Sequence, residues 1–326
     1  MFDYKHIARQ IFFPYGDRPR PVDWNSVFIQ PRPLQVEIGF GQGEYLLDCL
    51  NEDRQRNYVG FELDWGRICK CFAKVARLPP EQQQDVLERL KVLQVDAWVA
   101  LKRLFCQRTL AGAVCLFPCP WPKDRHEKHR LFSKGFLELL NSRLQNGARV
   151  QCVTDHRPYV DWILEQASGT GFQVTQKKIP PHFQTKFERK WVSEGQEEFC
   201  ELVFEKQEHR DVPVEEDVQV QAFYHEAFFP QALELRDWVS EEVAIVPKEW
   251  VFDPNQQKGL ARLVVSEEHL TQHLWVVVVK TEKGWCVVRA EGQHVLPSPG
   301  VARAIKLVSD AVGEAHKEDT SHKAQD

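Results

Sequence analysis

Leu34-Gln35-Val36-Glu37-Ile38-Gly39-Phe40-Gly41-Gln42-Gly43-Glu44 decides the fold of this chain. A short apolar run enters a turn with glycine at every second position, and the helical stretch Tyr45 to Leu50 follows. Strand, glycine turn and helix in that order open a βα unit whose backbone can take positive φ and approach a ligand closely. The spacing is G-x-G-x-G, so the third glycine of a dinucleotide fingerprint would fall at Glu44. Glu37 before the turn and Glu44 at the helix start both disfavour a pyrophosphate, which seeks a helix N-terminus free of negative charge. An amino-acid or sulfonium cation suits those acids better.

The same pattern repeats outward from this unit. Tyr58 to Phe61 is an apolar run ending at Glu62, placed where a carboxylate can take both hydroxyls of a ribose. Lys91 to Val95 ends at Asp96-Ala97, a position from which an adenine edge can be read. Ala111 to Phe117 and Arg149 to Thr154 are a fourth and a fifth run, the latter ending at Asp155, and Phe172 to Gln176 with Cys200 to Phe204 form a closing pair. Helical periodicity separates them at Asp85 to Leu90, Ala97 to Phe105, Leu131 to Leu144 and Tyr159 to Ala167. Continuous apolar strands alternating with helices predict an α/β fold with both faces of an open sheet covered. Ligands of such sheets collect at the carboxyl ends of the strands, where these acids lie.

The fourth strand runs into Pro118-Cys119-Pro120-Trp121-Pro122-Lys123, which continues through Arg125, His126, Lys128, His129 and Arg130. Three prolines in five residues fix φ and remove donors, so the loop holds one shape. From Trp121 to Lys134, five Lys/Arg outnumber two acids. A rigid cationic loop with an aromatic residue suits a polyanion carrying bases, and a solvated charged loop is the bland alternative.

Glu37 to Gly43, the strand ending at Glu62, Asp96-Ala97, the proline-tryptophan loop, Thr154-Asp155 and Thr185-Lys186-Phe187-Glu188-Arg189 together resemble the bacterial TrmB family. That family comprises S-adenosylmethionine-dependent tRNA (guanine-N7)-methyltransferases, and the likeness covers about residues 30 to 206. It implies a Rossmann-like seven-stranded methyltransferase sheet acting on the variable-loop guanosine of tRNA. Glu37, Gly39, Gly41, Gly43, Glu62, Asp96 and Ala97 would then hold S-adenosylmethionine. Lys123, Arg125, Asp155, Thr185, Lys186, Phe187 and Glu188 would hold the target nucleoside. Cys119 stands where the family pattern has the aspartate credited with catalysis, so the catalytic positions carried over are Cys119 and Asp155. Two alternatives stay open: a catalytically impaired RNA-binding relative, and a methyltransferase for another nucleoside or a small molecule.

Charge divides the chain. Residues 1 to 206 hold 30 basic and 26 acidic side chains, and residues 207 to 326 hold 12 and 21. The expected organisation is an N-terminal extension (1 to 32), the methyltransferase domain (33 to 206), a linker (207 to 220), a smaller α+β domain (221 to 312) and a disordered tail (313 to 326). In the second domain, Leu274 to Val279 and Trp285 to Arg289 read as a hairpin, and Ser298-Pro299 as the start of a helix burying Val301, Ile305, Val308 and Val312. The nine cysteines are scattered without C-x-x-C pairs, and His126 and His129 lack zincin spacing, so no metal site and no disulfide frame is expected. No run approaches eighteen apolar residues and no leader pattern opens the chain, which reads as a cytoplasmic protein needing no membrane.

Overall fold

The computed structural model describes residues 4–16 and 18–322, which divide into two compact units. The first holds residues up to Pro14 and Pro19–Glu215, and the second holds Tyr15–Arg18 with the chain from Glu216 onward.

Within the first unit the chain order is α1 (Lys5–Ile11), α2 (Trp24–Val27), β1 (Leu34–Ile38), α3 (Glu44–Glu52), β2 (Asn57–Glu62), α4 (Trp65–Val75), α5 (Pro80–Arg89) and β3 (Leu90–Gln94). It continues through α6 (Ala97–Arg103), β4 (Leu110–Leu116), α7 (Lys134–Arg143), β5 (Leu144–Thr154), α8 (Arg157–Gln166), β6 (Phe172–Ile179), α9 (Lys186–Ser193) and β7 (Phe199–Lys206). The seven strands order as β3-β2-β1-β4-β5-β7-β6. β1 to β5 run parallel, and β7 is antiparallel to both β5 and β6. All six residues of β2 are buried, because helices cover it on both faces. This is the expected Rossmann-like sheet. After β1 the chain builds outward to β2 and β3, then returns to β4 on the other side, leaving a crevice at the carboxyl ends of β1 and β4.

The N-terminal segment is part of this unit's core. Ile7 and Ile11 are fully buried beside Leu46, Leu50 and Phe72, and the Phe13 N–H reaches the Val92 carbonyl at 2.9 Å, which covers the edge strand β3. The segment from Gln207 to Glu215 is not the free linker its polarity implies. Arg143, fully buried, donates to the carbonyls of Val212 (2.6 Å) and Pro213 (2.9 Å). Asn141 donates to that of Glu208, and Arg103 pairs with Glu215. An extended polar strip is therefore held by buried side chains that would otherwise lack acceptors.

The second unit has one antiparallel six-stranded sheet of order β8-β13-β12-β11-β10-β9. Its strands are β8 (Phe223–His225), β9 (Trp238–Val239), β10 (Val243–Asp253), β11 (Lys258–Glu267), β12 (Leu270–Thr281) and β13 (Gly284–Arg289), followed by α10 (Pro299–His322). The expected hairpin is β12–β13, paired from Val276↔Arg289 to Thr281↔Gly284. Val301, Ile305, Val308 and Val312 of α10 pack in one core with Leu263, Leu274 and Val276 of the sheet. The tail was expected to be disordered from Gly313; α10 passes that glycine and extends to His322, and Ala315 is buried. Residues 323–326 lie outside the described residues. Gly313 marks a close pass, since a Cβ there would stand 3.4 Å from the His225 ring.

Candidate active site

The glycine turn after β1 is shaped by backbone sterics. Gly39, Gly41 and Gly43 have φ of 72°, 58° and 77°, a region that other residues adopt only with strain. A Cβ on Gly43 would lie 2.6 Å from Cys71 Sγ, so α4 can pack against the turn only if that position is glycine. A Cβ on Gly39 or Gly41 would meet nothing within 4 Å, so these two face open space as a cradle.

Beneath the cradle is Glu37, 5% exposed, with its Oε2 buried and lacking any hydrogen-bond partner. Burial, reinforced by Glu44, Asp48 and Glu62, pushes its carboxyl up to about 8. Burial of this kind favours the neutral form, and a neighbouring cation would favour the charged one.

Glu62, at the end of β2, organises the neighbouring turn. Its Oε2 accepts from the Gly41 N–H at 3.0 Å, and its Oε1 accepts from the N–H groups of Leu63 (2.9 Å) and Asp64 (3.0 Å). Arg67 Nη1 lies 3.6 Å from the same Oε2. Asp96 ends the next strand and caps α6, accepting from the Trp98 N–H at 2.8 Å, with Ala97 buried behind it.

A small cleft opens over the cradle. Glu37, Gly39, Gly41 and Glu44 form one wall, and Phe117, Thr185, Lys186 and Phe187 form the other. The structure thus brings residues far apart in sequence, from the first strand and from the Thr185 stretch, to one place at the sheet's switch point. Glu62, Asp96, Ala97, Cys119, Lys123, Arg125, Asp155 and Glu188 do not line that cleft.

Thr185 is the N-cap of α9. Thr185 Oγ1 accepts from the Glu188 N–H at 3.2 Å. The buried Glu188 carboxylate accepts from the N–H groups of His182 (2.8 Å), Phe183 (3.1 Å) and Gln184. Its oxygens are committed to the turn, so Glu188 presents Thr185, Lys186 and Phe187 to the cleft and is itself turned away from it. Gln184 pays a positive φ of 51° for this shape.

The proline loop also folds back on itself. Phe117 (φ 55°) leaves β4 in the left-handed region while its N–H holds the Val153 carbonyl at 2.7 Å, and Trp121 (φ 42°) repeats the strain. Arg130 donates to the carbonyls of Pro120 (3.1 Å) and Trp121 (3.4 Å), with its guanidinium 5.1 Å from the Trp162 ring centre. One expected phosphate contact is thereby spent on structure. Lys123, Arg125 and Lys128 remain exposed, and Cys119 is exposed on the same loop. Asp155 stands half-buried at the end of β5.

Sequence reading passed over Arg67. It lies at the cleft rim between Glu62 and the Phe187 ring, 5.7 Å from that ring's centre. The signal was available: Asp64 caps α4 by accepting from the Arg67 N–H, and Ile68, Cys71, Phe72 and Val75 follow at helical spacing. Among the described residues no cluster of His, Cys, Asp or Glu is arranged to hold a metal ion, and no helix is long and apolar enough to cross a membrane.

Comparison with known proteins places this site in context. The methyltransferase family model Methyltransf_4 matches residues 31–201. The tRNA (guanine-N(7)-)-methyltransferase of Chlorobium phaeobacteroides is 39% identical over 176 residues, covering 54% of this chain and 83% of the relative. The enzyme of the same name from Coprothermobacter proteolyticus is 28% identical over 317 residues, 93% of each chain, so that alignment runs through the second unit as well. The crystal structure of the 16S rRNA methyltransferase KamB superposes with a TM-score of 0.46 at 17% identity, covering 59% of this chain and 98% of that one. From the matched family model, the identity to the Chlorobium relative and the glycine-cradled site after β1, the chain belongs to the TrmB family of methyltransferases.

Proposed function

We propose that this protein methylates N7 of a guanosine in tRNA, with the variable-loop guanosine as target, S-adenosylmethionine as donor and the cytoplasm as its place of action. The observation carrying this reading is Glu37, a buried carboxyl group with a partnerless oxygen at the base of a glycine cradle. An orphaned acid under an open cradle fits a ligand with a cationic amino-acid end and matches neither a phosphate nor an apolar guest. S-Adenosylmethionine supplies an electrophilic methyl group on a sulfonium. Glu37 faces its cationic end, the remaining lone pair of Glu62 Oε2 serves the ribose hydroxyls, and Asp96 with the Ala97 N–H serves the adenine. Lys123, Arg125, Asp155, Thr185, Lys186 and Phe187 hold the nucleoside. Guanine N7 carries a lone pair and no proton, so the displacement needs no general base and rests on alignment.

Glu37 gives this reading a pH signature. Its carboxyl is protonated below about 8 in the free protein, and a neighbouring cation favours the carboxylate. Binding therefore expels a proton. Affinity for the donor is expected to rise with pH from 6 toward 8 and then level off, by up to about tenfold per unit. Isothermal titration of S-adenosylhomocysteine in buffers of different ionisation enthalpy reads the released proton. The same ligand against Glu37→Gln subtracts the ligand's own titration. An equal pH profile in both proteins would remove Glu37 from the binding site.

The activity itself is tested by transfer of labelled methyl to unmodified tRNA, with nucleoside analysis of the product. N7-methylguanosine in the variable loop is the expected result. Methyl on another nucleoside would favour the alternative substrate. Donor and tRNA binding without product would favour the impaired relative, the reading that the exposed thiol of Cys119 keeps in view.

A further inference from the structure

α4 buries Ile68, Cys71, Phe72 and Val75, so its opposite side faces solvent. On that side Arg67, Lys70 and Lys74 follow at intervals of three and four, and Arg77 extends the series into the turn after the helix. Residues so spaced form one stripe, here about 15 Å long. Lys70 and Arg77 are exposed, and Arg67 and Lys74 are half-buried.

The stripe does not end at α4. Glu44 Oε1 sits between Lys74 Nζ at 2.6 Å and Arg189 Nη2 at 3.5 Å, and Arg67 overlies Phe187. Both contacts lead directly to the first turns of α9, where Lys186 is exposed. Of the acids beside the stripe, Glu44 is held by these two cations, Glu62 by backbone N–H groups, Asp64 by capping α4, and Asp48 interacts with Lys74. One aromatic face accompanies the charges: Phe187, 41% exposed, lies under Arg67. On a chain of net charge −5, such a concentration of cations beside an exposed ring is a local feature that overall composition does not account for.

We propose that the outward stripe of α4, continued by the start of α9, is a second track for the phosphate backbone of the substrate tRNA. It borders the cleft on the β2 side, whereas the proline loop borders it on the β4 side, so the RNA is gripped on both flanks of the reacting base. Cations in a row supply the affinity, and Phe187 gives an unpaired base a stacking surface. This inference rests on the tRNA reading above.

The test is the double variant Lys70→Gln/Arg77→Gln, whose residues line neither the cleft nor the loop. Binding of unmodified tRNA is measured against salt concentration by fluorescence anisotropy, with S-adenosylhomocysteine binding and the rate at saturating tRNA alongside. The track requires tRNA affinity about tenfold weaker and a log–log salt slope shallower by about 1.5. Donor affinity and the saturated rate stay at native values, and Lys70→Arg retains native tRNA binding. If the native chain binds and methylates tRNA while the double variant binds it equally well with the same slope, the track is wrong and the tRNA reading stands. If the native chain neither binds nor methylates tRNA, both fall.

Discussion

Glu62→Ala is expected to weaken S-adenosylhomocysteine binding by at least about a hundredfold, the loss that follows when several polar contacts at one site go together. The Glu62 carboxylate is the acceptor for three backbone N–H groups, those of Gly41, Leu63 and Asp64. An alanine leaves all three without it in a part-buried turn, at about 1 to 3 kcal/mol for each that finds no water. The cradle glycine is one of them, so the variant loses both the proposed ribose acceptor and the shape of the loop beside it. Calorimetric titration reads the affinity, and a thermal melt reads the stability, with a fall of several degrees expected. Glu62→Gln keeps one acceptor oxygen and should fall between the two proteins in both measurements. Donor affinity within a few-fold of native in Glu62→Ala would show that the carboxylate serves the turn alone.

What could be read in the sequence was local and steric. The stretch from Leu34 to Glu44 announced its fold because positive φ demands glycine and a buried acid beside it demands a reason. The strand ends were legible because apolar runs stop where the sheet stops. Glu188 was legible as part of a motif but its hydrogen bonds were not, since the turn at 182–184 that its carboxylate holds leaves no mark in the T-x-F-E pattern. Arg67 was hidden because its relevance depends on Phe187, 120 positions later. The strip after Gln207 looked free because the side chains that hold it, Asn141 and Arg143, lie in α7. Polar composition likewise hid the end of α10, where Gly313 reflects a close approach to His225 and does not stop the helix.

Cys119→Asp is expected to raise the methylation rate by about ten- to a hundredfold while the KM for S-adenosylmethionine stays at its native value. The prolines on either side hold position 119 in place. A carboxylate there can accept from the guanine N1 and N2 hydrogens, and it favours the positive charge that the base acquires as N7 takes the methyl. A thiol is a weak acceptor and does little of either. Removing one preorganised polar partner from a reacting site costs about a hundred- to a thousandfold, and restoring it in an unrefined setting recovers part of that. The cleft proposed for the donor does not include Cys119, so donor KM should not move. Single-turnover rates of native protein, Cys119→Asp and Cys119→Ala on the same tRNA separate the possibilities. An alanine variant equal to native, with the aspartate variant faster, would show that the thiol is inert and that orientation is under-supplied. Three equal rates would mean that orientation comes from elsewhere, and Asp155 at the end of β5 becomes the residue to replace next. Product from the aspartate variant alone would identify the native chain as a silenced enzyme retained for its grip on tRNA.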